Sequence, residues 1–167
     1  MIKFRNIYFL IFLFLLNGCG MYSFTGANIS ADTKTISIQY FPNNAPLRQP
    51  TLSQVLTQSL RDRFSSQTNL MQVSSNGDLS LEGEITGYSV SPTAIQANQT
   101  AAQNRLTITV KVKFVNTKDD KQSFETGFSR YVDYDSQKNL QAVEGDLIKT
   151  LSDQLVEDIF NKAVVNW

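Results

Sequence analysis

The chain has little of what enzymes use for catalysis: its 167 residues contain no histidine and only one cysteine, Cys19. Without histidine, the Ser–His–Asp and Cys–His nucleophile arrangements are excluded, as are histidine-based zinc sites. A single cysteine cannot form a disulfide within the chain. The sequence also lacks a Walker A motif and a dinucleotide-binding glycine motif. We therefore expect no enzyme, and no cofactor or metal.

Long apolar runs are also missing, apart from ten consecutive residues at 7–16. A membrane-spanning helix needs about 20 apolar residues, so this run is too short to be one. Because it follows Lys3 and Arg5, it is typical of a secretory signal peptide. The sequence LNGC that follows reads as a lipobox, which predicts cleavage before Cys19, a diacylglycerol on its thiol and an N-terminal acyl lipid with chains such as palmitate. The alternative is an ordinary signal peptide followed by a coincidental cysteine.

Charge is scarce and balanced. The chain has 15 basic and 15 acidic residues, and charged residues make up 18% of it, against about 25% in average proteins. Removal of the leader, which holds two basic residues and no acidic one, leaves 13 basic against 15 acidic residues, a net charge of −2. Such a chain has no electrostatic footprint for nucleic acid. Residues 35–47, 64–77 and 85–104 carry no charge, which indicates either a flexible polar surface or one covered by a large partner.

The apolar pattern predicts an α+β fold. Alternating residues predict strands near 35–40, 70–73, 79–92, 106–114 and 124–134, and helical spacing predicts helices at 51–66 and 140–164. These elements suggest two helices packed on one face of a mainly antiparallel, roughly four-stranded sheet, a two-layer sandwich. The predicted organisation is a signal peptide at 1–18, a lipidated N-terminus and tether at 19–33, and a single domain at 34–167.

Three local features refine this prediction. Thr51 and Gln54 match a capping box at the start of the first helix. The apolar phase of the third strand changes at Gly87, which predicts a β-bulge there. In the turn at 75–78 we expect Gly77 to take a positive φ. In the last strand we expect Arg130 to interrupt the apolar face.

Two pairs of carboxylates could be considered for chemistry. Glu82 and Glu84 are two apart on a strand, so their side chains share a face about 7 Å apart. That spacing would allow acid–base work, but cross-strand pairing with Lys111 or Lys113 explains both residues without catalysis. The acidic pair at 119–120 could be calcium ligands or a solvated turn, and the flanking lysines favour the turn.

Five basic residues could contact a lipid headgroup. Arg105, Lys111 and Lys113 share one predicted strand, and Lys118 and Lys121 follow at its hairpin end. Phosphate groups of a lipid would be attracted to such side chains. The alternative is a solvated sheet face whose charges are balanced by nearby Asp and Glu.

Several stretches resemble the LPS-assembly lipoprotein family LptE, especially its Bacteroidota forms. They are GCGMYSFTGA, IQYFPNNAPLRQPTLSQVLTQSLRDRF, GDLSLEGEITGYSVSPTAIQ, NRLTITVKVKF and EDIFNKAVVNW, which together span nearly all of the chain after the leader. The most distinctive part is the run from 76 to 115. The resemblance implies a small α/β domain with two helices on a sheet and no catalytic group.

The resemblance also implies a function and a partner. Family members sit as a plug inside the LptD outer-membrane β-barrel, assist its assembly and help deliver lipopolysaccharide to the outer leaflet. No acidic residue follows the cysteine at 20–26, so we expect a lipid-anchored protein of the cell outer membrane that faces the periplasm and the barrel lumen. Candidate barrel contacts in the uncharged loop at 93–104 are Ile95, Gln96, Asn98 and Gln99. The alternative is a periplasmic lipoprotein that acts as chaperone or scaffold for another envelope complex.

Overall fold

The computed structural model describes residues 29–93 and 103–165. The leader, the lipid site at Cys19, most of the tether, and the candidate contacts Ile95, Gln96, Asn98 and Gln99 lie outside them. The elements in chain order are β1 (Thr35–Ile38), α1 (Leu52–Gln67), β2 (Met71–Val73), β3 (Leu79–Pro92), β4 (Gln103–Asn116), a short 3-10 turn (Asp120–Gln122), β5 (Phe124–Asp135) and α2 (Leu140–Val164). Both predicted helices and the predicted β4–β5 hairpin are confirmed.

The sheet has five strands of mixed direction, in the order β2-β1-β3-β4-β5, so the predicted four-stranded, mainly antiparallel sheet is wrong in this respect. β1 runs parallel to both β2 and β3, whereas β3, β4 and β5 form an antiparallel meander. The reason is the connection after β1. A crossover through a helix, here α1, returns the chain to the starting end of β1, so that β2 runs parallel to it.

The link from β2 to β3 crosses over β1, and this crossing requires a glycine. A Cβ on Gly77 would lie 2.6 Å from the backbone nitrogen of Ser37, so no side chain fits there. The positive φ of the turn belongs to Asn76 (54°) and not to Gly77, which corrects the prediction. Asn tolerates this conformation better than most residues, so the glycine serves close approach and not backbone freedom.

The predicted bulge is confirmed, and it determines which β3 side chains enter the core. The register with β4 shifts between Ile85 and Gly87, which leaves Thr86 as the extra residue. Before the bulge the odd-numbered residues Leu79 and Leu81 are buried; after it the buried residue is Tyr88. The bulge thus keeps apolar side chains on one face although their numbering changes parity.

The core lies between this face of the sheet and the two helices. α1 and α2 contact each other, and the rings of Phe64 and Phe160 meet edge to face with centroids 5.0 Å apart. Full burial of such side chains contributes about 1.5–3 kcal/mol each to the stability of the fold.

Arg130, the expected interruption on β5, forms a bidentate ion pair with Asp158 of α2. Neither described helix is both long and apolar enough to cross a membrane.

The predicted capping box does not form. The Gln49 side chain instead accepts hydrogen bonds from the backbone nitrogen of Thr51 (2.6 Å) and from its hydroxyl (2.9 Å). Gln49 also donates to Glu144 of α2 (3.2 Å), and Glu144 accepts from the hydroxyl of Tyr88 (2.5 Å). Burial and the neighbouring carboxylate raise the pKa of Tyr88 well above its usual value. This network joins the start of both helices to β3.

Phe41 occupies the space above Gly83. The ring is fully buried, and the backbone nitrogen of Phe41 donates to the Thr57 hydroxyl of α1 (3.1 Å). A Cβ on Gly83 would lie 2.4 Å from the Phe41 ring and 2.4 Å from the carbonyl oxygen of Lys111. The absence of a side chain at Gly83 is therefore a condition for packing the segment after β1.

We expect Gly83→Ala to lower the free energy of unfolding by about 1–3 kcal/mol, because the added methyl overpacks the contact with Phe41 and a backbone oxygen. The matched control is Gly145→Ala in α2, where a Cβ meets nothing within 4 Å. That change should raise the free energy of unfolding by about 1 kcal/mol through helix propensity. Urea denaturation measures both; equal effects of the two substitutions would contradict the packing.

Asp78 fastens the start of β1 to the start of β3 and to the β4–β5 hairpin. Its carboxylate accepts from the backbone nitrogens of Lys34 (2.8 Å) and Thr35 (3.0 Å) and forms an ion pair with Lys118 (3.1 Å). Its carbonyl accepts from Thr117 of the hairpin. These donors, with the Lys34 amide the strongest and Lys118 next, hold the pKa of the Asp78 carboxyl well below its usual value.

We expect Asp78 to stabilise the fold in a pH-dependent way. Since its pKa is depressed in the folded state, its contribution is complete above the unfolded value near 3.8 and is lost as the pH falls below it. Asp78→Asn should therefore lower the midpoint of urea unfolding at pH 7, and the difference from the parent should shrink between pH 4 and lower pH. The control is Asp32→Asn, the same charge change at an exposed site. A constant difference at all pH values would contradict this role.

Candidate functional site: the open face of the sheet

The face of the meander opposite the helices carries polar and charged side chains. Its members follow from the register, since residues directly opposite each other point to the same side of a sheet. From β3 to β5 the rows are Glu82, Lys113 and Glu125; Glu84, Lys111 and Gly127; Gly87, Thr109 and Ser129; Ser89, Thr107 and Tyr131; and Ser91, Arg105 and Asp133. We call this surface the open face.

One end of the open face is a cluster of charges, with three carboxylates and two lysines. Glu82 stands opposite Lys113 and Glu84 opposite Lys111, as the predicted cross-strand arrangement requires, but the Glu84 carboxylate accepts a hydrogen bond from Asn44 (2.6 Å) and the ion pair of Lys111 is with Glu125. The ammonium of Lys111 lies 2.5 Å from the carboxylate of Glu125. This bond raises the pKa of Lys111 and lowers that of Glu125. A shallow depression of about 320 Å³ lies over these side chains and is also lined by Pro42 and Gly83.

Arg105 lies apart from the two lysines. It precedes Lys111 by six positions of β4, about 20 Å along the strand. Its guanidinium forms two hydrogen bonds to Asp133 (2.7 and 2.9 Å) and stacks on the Tyr131 ring at 3.7 Å from the centroid. The ion pair raises the pKa of Arg105 and lowers that of Asp133. The stacked pair leaves half of Tyr131 exposed (54%).

Lys118 and Lys121 belong to the β4–β5 hairpin, at the end of the open face away from Arg105. Lys118 is held by Asp78, as described above. Lys121 lies in the 3-10 turn, where its backbone nitrogen donates to the Asp119 side chain (3.1 Å). Asp119 therefore caps the turn and Asp120 is its first residue, as the turn interpretation predicts. Within 29–93 and 103–165, no three His, Cys, Asp or Glu residues are arranged to hold a metal ion.

The structure thus brings Lys111 and Lys113 together, places Lys118 and Lys121 beyond them, and keeps Arg105 at the other end. Whether these five residues contact a lipid headgroup stays a prediction. Sequence reasoning missed the partners Asp133 and Tyr131. Both could have been found by counting the hairpin register outward from the turn, because Arg105 then falls opposite Asp133.

A second concave surface, not foreseen from the sequence, lies between the outer sides of α1 and α2. This open groove has a volume of about 1180 Å³ and is lined mainly by polar side chains, with Val55 and Val156 as its apolar members. Arg63 and Lys149 face it together with Asp62, Asp153 and Glu157. The groove resembles an ordinary crevice between two packed helices with mixed charge.

Several solved structures are similar to the chain at low sequence identity. A neuraminyllactose-binding hemagglutinin homologue from Helicobacter pylori is 9% identical with a TM-score of 0.52, over 84% of this chain and 88% of that one. A rare lipoprotein B from Shewanella oneidensis is 15% identical with a TM-score of 0.48, over 77% of this chain and 92% of that one. A minor lipoprotein from Acinetobacter baumannii is 15% identical with a TM-score of 0.47, over 74% and 91%. At these identities the likeness concerns the fold alone.

Family membership rests on the sequence match. No curated protein matches the chain. The LptE family, described as lipopolysaccharide-assembly, matches residues 33–163. This range contains every strand and nearly all of both helices, together with the open face. The chain therefore belongs to the LptE family of lipopolysaccharide-assembly proteins.

Proposed function

We propose that this protein is a noncatalytic outer-membrane lipoprotein, anchored by an acyl lipid on Cys19, that acts as plug and assembly factor of an LptD-type β-barrel and assists lipopolysaccharide transport to the outer leaflet. The observation that carries the proposal is the family match over residues 33–163. The lipobox at Cys19 supports the anchor, and the leader before it supports export from the cytoplasm.

The short link between Cys19 and the domain supports an orientation in which β1 starts near the membrane. Nine residues lie between Cys19 and Ile29, the first described residue, and this link can span at most about 35 Å when extended. β1 starts at the same end of the sheet as the β4–β5 hairpin, because Asp78 bonds both Lys34 and Lys118. The lipid would thus hold Lys118 and Lys121 on the membrane side of the domain.

In that orientation the opposite end of the meander would point away from the membrane. There β3 ends at Pro92 and β4 begins at Gln103, and these two ends flank the segment with Ile95, Gln96, Asn98 and Gln99. An uncharged segment at this end could enter a barrel lumen while the lipid stays in the membrane leaflet. The open face also supports a noncatalytic role, because Glu82 and Glu84 stand opposite lysines and do not form an isolated pair of carboxylates.

Depletion in the native host tests the function. We expect the loss of this protein to lower both the amount of correctly assembled LptD barrel and the lipopolysaccharide at the cell surface, because the barrel would lack its plug and assembly factor. Surface labelling of lipopolysaccharide and heat-modifiability of the barrel on gels measure the two effects. Re-expression of the parent chain is the control and should restore both.

Re-expression of Cys19→Ala tests the anchor in the same strain and should restore less than the parent. Normal barrel assembly and normal surface lipopolysaccharide after depletion would reject the proposed function. That outcome would leave the alternative, a chaperone or scaffold for another envelope complex.

Direct binding of lipopolysaccharide tests the basic residues. We expect the double change Lys111→Gln and Lys113→Gln to weaken binding of purified lipopolysaccharide by about fivefold, since each lost phosphate contact at an exposed site is worth a fraction of a kcal/mol. The control is Lys138→Gln with Lys149→Gln, which removes the same charge away from the open face. Arg105→Gln and Lys118→Gln with Lys121→Gln then show which end of the open face contributes. Equal affinity of all variants would exclude these contacts.

A further inference from the structure

β5 forms one edge of the sheet and is unusually complete for an edge strand. All twelve residues from Phe124 to Asp135 follow one another in register with β4, without a bulge. Along the part of the chain that the structure describes, the outer side of β5 accepts one backbone hydrogen bond, from Lys138 to the carbonyl of its last residue, Asp135 (3.0 Å), and the backbone groups of residues 125–133 on that side stay free. The opposite edge of the sheet, β2, has only three residues and is protected by its shortness.

The hydrogen bonds of Ile85 determine which groups of β5 point outward. Its nitrogen donates to the carbonyl of Pro42 and its carbonyl accepts from the nitrogen of Asn44, both 2.9 Å, so the backbone N–H and C=O of Ile85 point away from β4. The backbone groups of Val110, its partner on β4, must then point toward β5 and bond those of Phe128. Because the direction alternates along a strand, the odd-numbered residues of β5 present their N–H and C=O groups at the free edge.

This edge carries charged side chains but lacks three other features that commonly prevent pairing with another strand. Natural edge strands are commonly interrupted by proline, lysine or a bulge. β5 contains none of these, and the one charge on its helix side, Arg130, is bound by Asp158. On that same side Phe124, Phe128 and Val132 are only partly buried against the core. An added strand with apolar side chains would cover them further.

The charges of β5 favour a basic segment over a second copy of this chain. On the open face β5 carries Glu125, Asp133 and Asp135 and no cation. The cations that pair with Asp133 and Glu125 are Arg105 and Lys111, which lie on the neighbouring strand β4. An approaching strand therefore meets carboxylates first. A second copy could pair its β5 antiparallel to this one, with each face of the sheet continuing across the pair. In the two longest pairings of this kind, Glu125 of one copy would lie opposite Asp133 or Asp135 of the other, and this repulsion between carboxylates is unfavourable.

We propose that the outer edge of β5 binds an extended segment of another protein, in which apolar residues alternate with Lys or Arg, by adding it as a sixth strand. Backbone hydrogen bonds to the odd-numbered residues would supply affinity. The apolar side chains would lie beside Phe128 and Val132, and the basic ones beside Glu125 and Asp133. This inference does not depend on whether the protein that supplies the segment is the barrel.

The test uses the mature lipidated protein in detergent micelles and a fluorescent peptide of alternating Val and Lys, eight residues long. Two peptides serve as controls, one alternating Val and Glu and one with four Val followed by four Lys. We expect the alternating basic peptide to bind more tightly than both. Gly127→Pro should weaken its binding by about tenfold, because it removes an outward N–H that an added strand needs. Gly127→Ala keeps that N–H, has room for its methyl, and should bind like the parent.

Two further measurements keep the test decisive. If Gly127→Pro does not fold, as judged by its thermal melt, the pair Ser129→Pro and Ser129→Ala replaces it. In two-dimensional NMR of the parent, the basic peptide should shift the amides of Gly127, Ser129 and Tyr131 most. Equal binding of the three peptides, shifts located elsewhere, or a dimer formed through β5 in sedimentation would each overturn the proposal.

Discussion

The alternation of side chains along β3, β4 and β5 is the constraint on which the other features depend. Because neighbouring residues of a strand point to opposite faces, a slip of one residue would exchange the core face for the solvent face. The extra residue Thr86 makes one such change within β3. Beyond it Tyr88 enters the core and reaches Glu144, which in turn holds Gln49 and the start of α1. The bulge therefore connects the register of the sheet to the placement of both helices.

The same alternation produces three surfaces with different chemistry. The helix side is apolar and covered, the open face is polar with charges of both signs, and the outer edge of β5 presents backbone groups together with carboxylates. These surfaces suit binding, which agrees with membership of a lipopolysaccharide-assembly family.

Much of the fold could be predicted from the sequence, and the exceptions have physical reasons. The limits of α2 and the bulge near Gly87 follow from local periodicity, which the chain carries clearly. The parallel pairing of β1 does not, because it depends on how α1 packs and not on the strand's own residues. The capping box at Thr51 failed since Gln49, two residues earlier, offers its side chain to the same hydroxyl. The role of Gly77 was missed because a close approach of two backbones leaves no sequence pattern beyond the glycine itself.

Native-state hydrogen exchange of β5, followed by NMR on the isolated protein, tests this account most directly. The alternation predicts that the amides of Thr126, Phe128, Arg130 and Val132 exchange about 100-fold more slowly than those of Gly127, Ser129 and Tyr131, since only the first group donates to β4. Uniform protection along the strand, or slower exchange of the odd-numbered amides, would contradict the register and with it the assignment of core, open face and free edge.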